Sequence, residues 1–305
     1  MLGVVVPFFN EEENVGAFFR RLTAVASDHQ FKLDIVAVDD GSTDGTLDQL
    51  LEAKTWVPNL RILQFSRNFG KEAAMSAGLD HVRGERVVVI DADLQHPPEV
   101  IPELLDKLSE GHDVVYAHRR SRQGDGAIRS LFSRSFYRLL EVFGEVALPA
   151  DAGDFRVMNR DVVEALKSLP EKQRFMKGLY AWVGFDQVGI PFDVAERHAG
   201  KTKFSFFKLF GYGWNALISF SAAPLRISSM LGLAVAFAAG VYGLFTIAEA
   251  IVFQRTPPGY ATIASAILFL GGVQLVAIGV LGEYVSRIVG EAKGRPAYII
   301  GRVYD

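Results

Sequence analysis

Cysteine is absent from all 305 residues. That excludes a disulfide framework and thiolate zinc sites, and is compatible with a reducing compartment. An excess of positive charge is also missing: 32 Lys and Arg stand against 35 Asp and Glu, a formal net charge of −3. A nucleic-acid partner, which calls for a basic footprint, is therefore not expected. Met1 leads directly into Leu2-Gly3-Val4-Val5-Val6-Pro7, with neither the basic start nor the small-residue cleavage site of a secretory signal. No G-x-G-x-x-G follows this first apolar run, which argues against a dinucleotide-binding domain.

Two stretches lack any charged residue: Ile227 to Ala248 and Tyr260 to Gly282, 22 and 23 residues long. A helix needs about 20 apolar residues to cross a hydrocarbon core of about 30 Å, and buried helices of a soluble core seldom run this long without a polar face. These runs account for most of the positive mean hydropathy of +0.19. Gln254 to Gly259 between them includes Pro257-Pro258-Gly259 and reads as a tight polar turn, so a transmembrane hairpin is expected. Arg226, Arg287, Lys293 and Arg295 flank its open end, against Arg255 alone in the turn. By the positive-inside rule both ends and the large N-terminal part lie in the cytoplasm.

The first 120 residues alternate strand and helix signals. Apolar strands are readable at Gly3–Pro7, Asp34–Val38, Arg61–Phe65, Arg86–Ile90 and Asp113–Tyr116. A helix follows the first, with Val15, Phe18, Phe19, Leu22 and Val25 at helical spacing behind Asn10 as candidate N-cap. Another, carrying Val100, Ile101, Leu104, Leu105 and Leu108, follows Pro97-Pro98. Such alternation predicts an α/β, doubly wound, mostly parallel sheet. Its ligands belong beyond the C-terminal ends of the strands, where Asn10, Asp39, Asp40, Arg67 and Asp91 fall.

Four β-branched residues, Val87 to Ile90, run into Asp91, Asp93 and Gln95 at alternate positions. Side chains two apart on an extended chain point the same way, so the three converge if the segment stays extended. Hard oxygen ligands there suit Mg²⁺ or Mn²⁺ holding a diphosphate. Asp39 and Asp40, in VDDGSTDGT, can accept hydrogen bonds from a nucleobase and ribose. Residues 117 to 138 hold six arginines, including Arg119 and Arg129, whose forks match phosphate oxygens. Phe204 to Phe220 carries five Phe, one Tyr and one Trp and reads as amphipathic helix in the headgroup layer.

VVPFFNEEENV, VDDGSTDGT, SRNFGKEAAMSAGLDH and DADLQHPPE, in this order, resemble the family 2 glycosyltransferases of the polyprenyl-phosphate type, closest to the bactoprenol glucosyltransferases and more distantly the dolichyl-phosphate mannosyltransferases. The likeness continues through GDFRVMNRDVVEAL, RFMKGLYAWVGF, ERHAGKTKF and LFLGGVQLVAIGVLGEYVSR. It implies a GT-A type sheet, with a catalytic domain over residues 1–200, interfacial amphipathic helices over 201–224, a two-helix transmembrane hairpin over 225–286 and a cytoplasmic tail over 287–305. It implies that Asp91, Asp93 and Gln95 hold Mg²⁺ or Mn²⁺. Pro7, Asn10, Glu11, Asp39, Asp40, Arg67, Lys71, Arg197 and Lys203 are the implied donor-binding residues. Arg119, Arg129 and Ser133 then lie where donor and lipid phosphates meet and join Asp91 and Asp93 as the catalytic set. His96 stands where bacterial members often have Asp.

The activity so implied is inverting transfer of a hexose, glucose from UDP-glucose, to undecaprenyl phosphate at the bacterial cytoplasmic membrane. GDP-mannose, UDP-N-acetylglucosamine or a modified UDP-arabinose are alternative donors. A processive synthase normally carries Q-x-x-R-W, which Gln173-Arg174-Phe175 does not match. From another class, a lipid-linked sugar flippase or inactive scaffold has to contend with a complete Asp91, Asp93, Gln95 set and only two spans. Gly271, Gly272 and Gly279 permit close helix contacts and hence a homo-oligomer.

Overall fold

The computed structural model describes residues 1–119, 152–172, 174–192, 223–253 and 259–305. The chain begins with β1 (Leu2–Phe8), α1 (Glu12–Asp28), β2 (Leu33–Asp39), α2 (Thr46–Lys54), β3 (Leu60–Phe65), α3 (Lys71–His81) and β4 (Arg86–Val89). After a 3-10 turn at Pro98–Val100 come α4 (Ile101–Ser109) and β5 (Val114–Arg119). Then follow β6 (Ala152–Asn159), α5 (Arg160–Ser168), α6 (Met176–Trp182) and β7 (Gln187–Phe192), the long helices α7 (Ala223–Phe253) and α8 (Tyr260–Ala292), and β8 (Ile300–Tyr304). Among the described residues the strands make one eight-stranded sheet in the order β7-β5-β6-β4-β1-β2-β3-β8.

The centre of the sheet, β4-β1-β2-β3, is parallel. A parallel strand is covered by helices on both faces and reads as a continuous apolar run. Accordingly all seven residues of β2 are buried. In β1, Val4, Val6 and Phe8 enter the core beneath α1, α2 and α4, while Val5 enters the opposite core beneath α3 and α5. The periodic residues Val15, Phe18, Phe19, Leu22 and Val25 are indeed the buried stripe of α1. Phe8, Phe18 and Phe19 form one aromatic cluster with centroids 5.4–6.1 Å apart. Truncating a buried phenylalanine of this kind to alanine costs about 3–5 kcal/mol.

Three strands were not legible in the sequence pattern. Strand β6 runs antiparallel between β4 and β5, so the fifth readable strand is not a neighbour of the fourth. Strand β7 pairs parallel with β5 at one edge. At the other edge the C-terminal residues, expected as a tail, return as β8 and pair antiparallel with β3. Arg61 Nε meets Asp305 Oδ1 at 2.8 Å and the Tyr304 hydroxyl donates to Gln64 at 3.2 Å there.

Helices α7 and α8 have 31 and 33 residues. Pro224–Thr246 and Phe269–Ala292 are long and apolar enough to cross a membrane, and neither is buried within the protein. Leu233 and Phe237 are each 73% exposed. Apolar surface on this scale marks contact with a membrane or a partner. Of the expected interfacial segment, 201–224, residues 201–222 lie outside the described residues, as does most of the expected turn, while 223 and 224 already belong to α7.

Candidate active site

Parallel strands deliver their following loops to a single rim, and the site is assembled there. The turns after β1 and β2 are knitted together. Asn10 adopts a left-handed φ of 54°, which asparagine tolerates better than most residues. Its amide donates to Ser42 Oγ at 3.0 Å, and its Oδ1 accepts from the Thr43 amide at 2.8 Å. The Glu11 amide donates to Thr46 Oγ1 at 2.8 Å, and Glu11 Oε2 accepts from Asn14 at 2.6 Å. Asn10 is therefore not the N-cap of α1: the helix begins beyond it, and its side chain braces the β2 turn instead. Pro7 lies within β1 opposite Val38.

The two aspartates ending β2 do different work. Asp39 is 1% exposed, accepts from the Ser42 amide through Oδ1, and leaves Oδ2 buried without a hydrogen-bond partner. Burial raises its pKa. An enclosed acceptor of this kind is costly unless something donates to it. Asp40 was expected beside it as a donor contact. Its carboxylate is instead engaged by the chain, accepting from the amides of Phe69 at 2.7 Å and Gly70 at 2.9 Å. It clamps the loop after β3. Gly41, at φ 65°, is packed so closely on Arg67 and Asn68 that a Cβ would fall 2.5 Å from the Arg67 carbonyl carbon. Arg67 lies over the Phe69 ring at 4.0 Å.

Helix α3 starts at Lys71, directly after that loop. Its ammonium bridges the turn after β4 and strand β6, 2.6 Å from Asp91 Oδ1 and 2.5 Å from Asp154 Oδ2. Because β6 is antiparallel to β4, with Val89 opposite Arg156, the start of β6 reaches the rim where β4 ends. That register places Asp154 near Asp91. Burial pulls the Lys71 ammonium down, but Asp154 and Asp91 outweigh it and hold its pKa well above the usual range. For Asp154, burial pushes up, but Lys71 and Lys177 outweigh it and hold its carboxyl well below the usual range. Glu72, beside this pair, is pushed up to about 7 by burial and by Asp154, and accepts from the Met176 amide at 2.9 Å. Behind Asp154, the buried Arg156 lies 3.5 Å over the ring of Tyr180. Asp154 and Glu72 sit inside motifs readable in the sequence, but nothing there showed that β6 would come to this rim.

The expected metal turn differs from its premise. Strand β4 stops at Val89, Leu94 takes a left-handed φ of 60°, and Asp93 Oδ1 accepts from the Gln95 amide at 3.1 Å. Asp91, Asp93 and Gln95 thus come from a tight turn, not from alternate positions of an extended strand. Among the described residues no three His, Cys, Asp or Glu side chains are grouped as a metal site. The donor set still fits a hard divalent ion in kind: carboxylate and amide oxygens on one turn, at a strand's C-terminal end, with Asp91 partly exposed. His96 Nδ1 is buried without a hydrogen-bond partner, 3.6 Å from Asp91 Oδ2, and burial lowers its pKa.

Arg119 ends β5 with its backbone paired to Phe192. Arg129, Ser133, Arg197 and Lys203 lie outside the described residues.

Comparison with known proteins agrees with this architecture. Residues 3–167 match the family "Glycosyl transferase family 2", and residues 223–288 match the "GtrB C-terminal hairpin". The chain is 42% identical over 302 residues to a prophage bactoprenol glucosyl transferase homolog of Escherichia coli strain K12, covering 99% of both. It is 42% identical over 299 residues to a bactoprenol glucosyl transferase of Shigella phage SfII, covering 98% of this chain and 97% of the relative. An uncharacterised glycosyltransferase of Synechocystis is 44% identical over 303 residues, 99% of this chain and 95% of its own. Among solved structures, a mannosyltransferase of Pyrobaculum calidifontis in complex with GDP-Man and Mn²⁺ superposes with a TM-score of 0.52 at 19% identity, covering 95% of this chain and 85% of that one. A GT-A-like sheet, an acidic rim and an apolar helical hairpin thus coincide with a family match over more than half of the chain, and the protein belongs to glycosyl transferase family 2.

Proposed function

We propose that this glycosyltransferase moves glucose from UDP-glucose to undecaprenyl phosphate on the cytoplasmic face of the membrane, inverting the anomeric carbon. The observation that carries the reading is the joining of an anion-managing rim to an apolar hairpin in one chain. Relatives over its whole length are named for glucosyl transfer to bactoprenol. The hairpin supplies the reason for a lipid acceptor, and the flanking Arg226, Arg287, Lys293 and Arg295 supply the orientation. The division into a catalytic part over 1–200, an interfacial part over 201–224, a hairpin over 225–286 and a terminal segment over 287–305 belongs to the same proposal, the last now carrying β8.

A lipid phosphate is ionised at neutral pH and needs no strong base to attack. What the reaction requires is the management of negative charge on two approaching anions and on the departing nucleoside diphosphate. Asp39 Oδ2 receives a donor N–H or hydroxyl, and Asn10, Glu11 and Pro7 shape the pocket wall beside it. Lys71 holds Asp91 and Asp154 at fixed positions on the rim. Asp91, Asp93 and Gln95 would hold a divalent cation, whose chemistry is to neutralise the diphosphate. Arg67 on the rim, with Arg119, Arg129, Ser133, Arg197 and Lys203 from the remaining segments, completes the phosphate-binding set in this proposal. No covalent carboxylate intermediate is needed, because one in-line displacement suffices.

The test is a panel of UDP- and GDP-sugars with undecaprenyl phosphate and the purified full-length protein. Radiolabel entering lipid from UDP-glucose, and far less from the other donors, is the expected result. Transfer from a different sugar nucleotide would replace the donor, and transfer from none would remove the enzymatic reading.

A further inference from the structure

The segment that leaves the hairpin does more than end the sheet. Gly294, at φ 65°, follows α8, and the chain then crosses the catalytic part at the Ser66–Gly70 loop. The Tyr298 ring stacks on Phe65, centroids 5.2 Å apart and planes 10° from parallel. Its hydroxyl donates to Asp80 Oδ2 of α3 at 2.6 Å. The Ile299 carbonyl accepts from the Ser66 amide at 3.0 Å. Gly301 lies flat against Ser66, where an added Cβ would stand 3.4 Å from the Ser66 Cα and amide nitrogen.

From there the contacts run inward. Phe65 meets Phe69 edge-on at 5.6 Å, the Phe69 and Gly70 amides donate to Asp40, and Lys71 follows with its bridge to Asp91 and Asp154. The β3–β8 pairing also breaks register between Gln64 and Phe65, just where the loop departs. The loop is thus gripped on one side by Asp40 and on the other by residues 298–301. Asp40 holds the Phe69–Gly70 end of the loop and Gly41 packs on Arg67 and Asn68, while residues 298–301 hold its Ser66 end.

We propose that Tyr298–Gly301 is a positioning strap for the donor loop, with Tyr298 its principal positioning residue, so that the chain returning from the membrane hairpin sets the geometry of the nucleotide-sugar pocket. This rests on the reading of the Ser66–Gly70 rim as donor-binding. The hairpin thereby holds the active site through a stack and a strand, besides anchoring it.

The experiment uses full-length protein in detergent, with Tyr298→Ala and Tyr298→Phe. Hydrogen exchange of the peptide spanning Ser66–Lys71 is measured alongside steady-state kinetics for both substrates. Tyr298→Ala should speed exchange of that peptide by about tenfold, as expected for loss of a local closing contact. It should raise the donor KM by about tenfold through misplacement of the loop, leaving kcat and the acceptor KM within about twofold. Tyr298→Phe keeps the stack and should restore both readouts to within about threefold of wild type. Unchanged loop exchange would overturn the proposal, as would faster exchange with an unaltered donor KM. Parallel rises in both KM values with faster exchange throughout the sheet would show general destabilisation and also overturn it. If the wild type transferred from no sugar nucleotide, the functional reading would fail, and the exchange data would still decide whether the strap holds the loop.

Discussion

Replacing Lys71 with methionine keeps the length of the side chain and removes one charge from the centre of the rim. In the wild type the ammonium stands 2.6 Å from Asp91 and 2.5 Å from Asp154, so the two oxygens it bridges are at most about 5 Å apart. Without the cation they face each other as like charges, worth about 3 kcal/mol at an effective dielectric of 20. Solvent discounts that figure, because the Lys71 side chain is 43% exposed, although the carboxylates are only 21% and 13% exposed. A net loss of about 2 kcal/mol follows, lowering Tm by roughly 4–8 °C for a domain of this size. Asp154 loses its main counter-charge and its carboxyl should move up toward the ordinary range. Transfer should fall more steeply than stability, by about 100-fold or more, because the rim proposed to receive the diphosphate loses a preorganised positive charge. Lys71→Arg should recover stability before it recovers rate. Thermal unfolding followed by intrinsic fluorescence, with radiolabelled transfer into lipid, measures both. A Lys71→Met protein with wild-type Tm and turnover within twofold would overturn this role for the bridge, and so would loss of donor affinity with no change in Tm, which would leave the bridge without structural weight.

Asp93→Ala should abolish transfer and Asp91→Ala should weaken it severely; EDTA should silence the wild type and added Mg²⁺ or Mn²⁺ restore it, and full activity in EDTA would remove the metal assignment. Glu72 binds its proton more tightly in the folded chain, at about 7 against 4.5 unfolded. Its contribution to stability is therefore present below pH 4.5 and lost as pH rises through 7. Comparing Tm between pH 5 and pH 8, Glu72→Gln should show a smaller fall than wild type, and identical falls would count against that placement. For topology, Thr256→Cys should react with an impermeant thiol reagent in intact cells and Glu13→Cys should not; with no native cysteine in the chain, the reverse pattern would overturn the cytoplasmic orientation.

Local patterning determined most of the elements. Runs such as Val87–Ile90 and the stripe Val15, Phe18, Phe19, Leu22 and Val25 specify strand and helix through side-chain period alone, because burial on both faces or on one stripe leaves little choice. The rim location of Asp39, Asp40 and Asp91, and the apolar lengths of the two long helices, follow from the same logic. Turn geometry was not available to it. Asp91, Asp93 and Gln95 lie on a turn because β4 stops at Val89 and Leu94 takes positive φ, and Asn10 was freed from capping α1 by a partner 33 positions away. Asp40 looks equivalent to Asp39 until the β3 loop folds over it and takes its oxygens. The pairing of β6 with β4 and of β8 with β3 is set by the folded chain as a whole. Strand pairing across long separations carries no local signature, since any half-buried apolar strand can satisfy any open edge. That pairing alone brings Asp154 to Lys71, and ties residues beyond the hairpin to a loop more than 200 positions earlier.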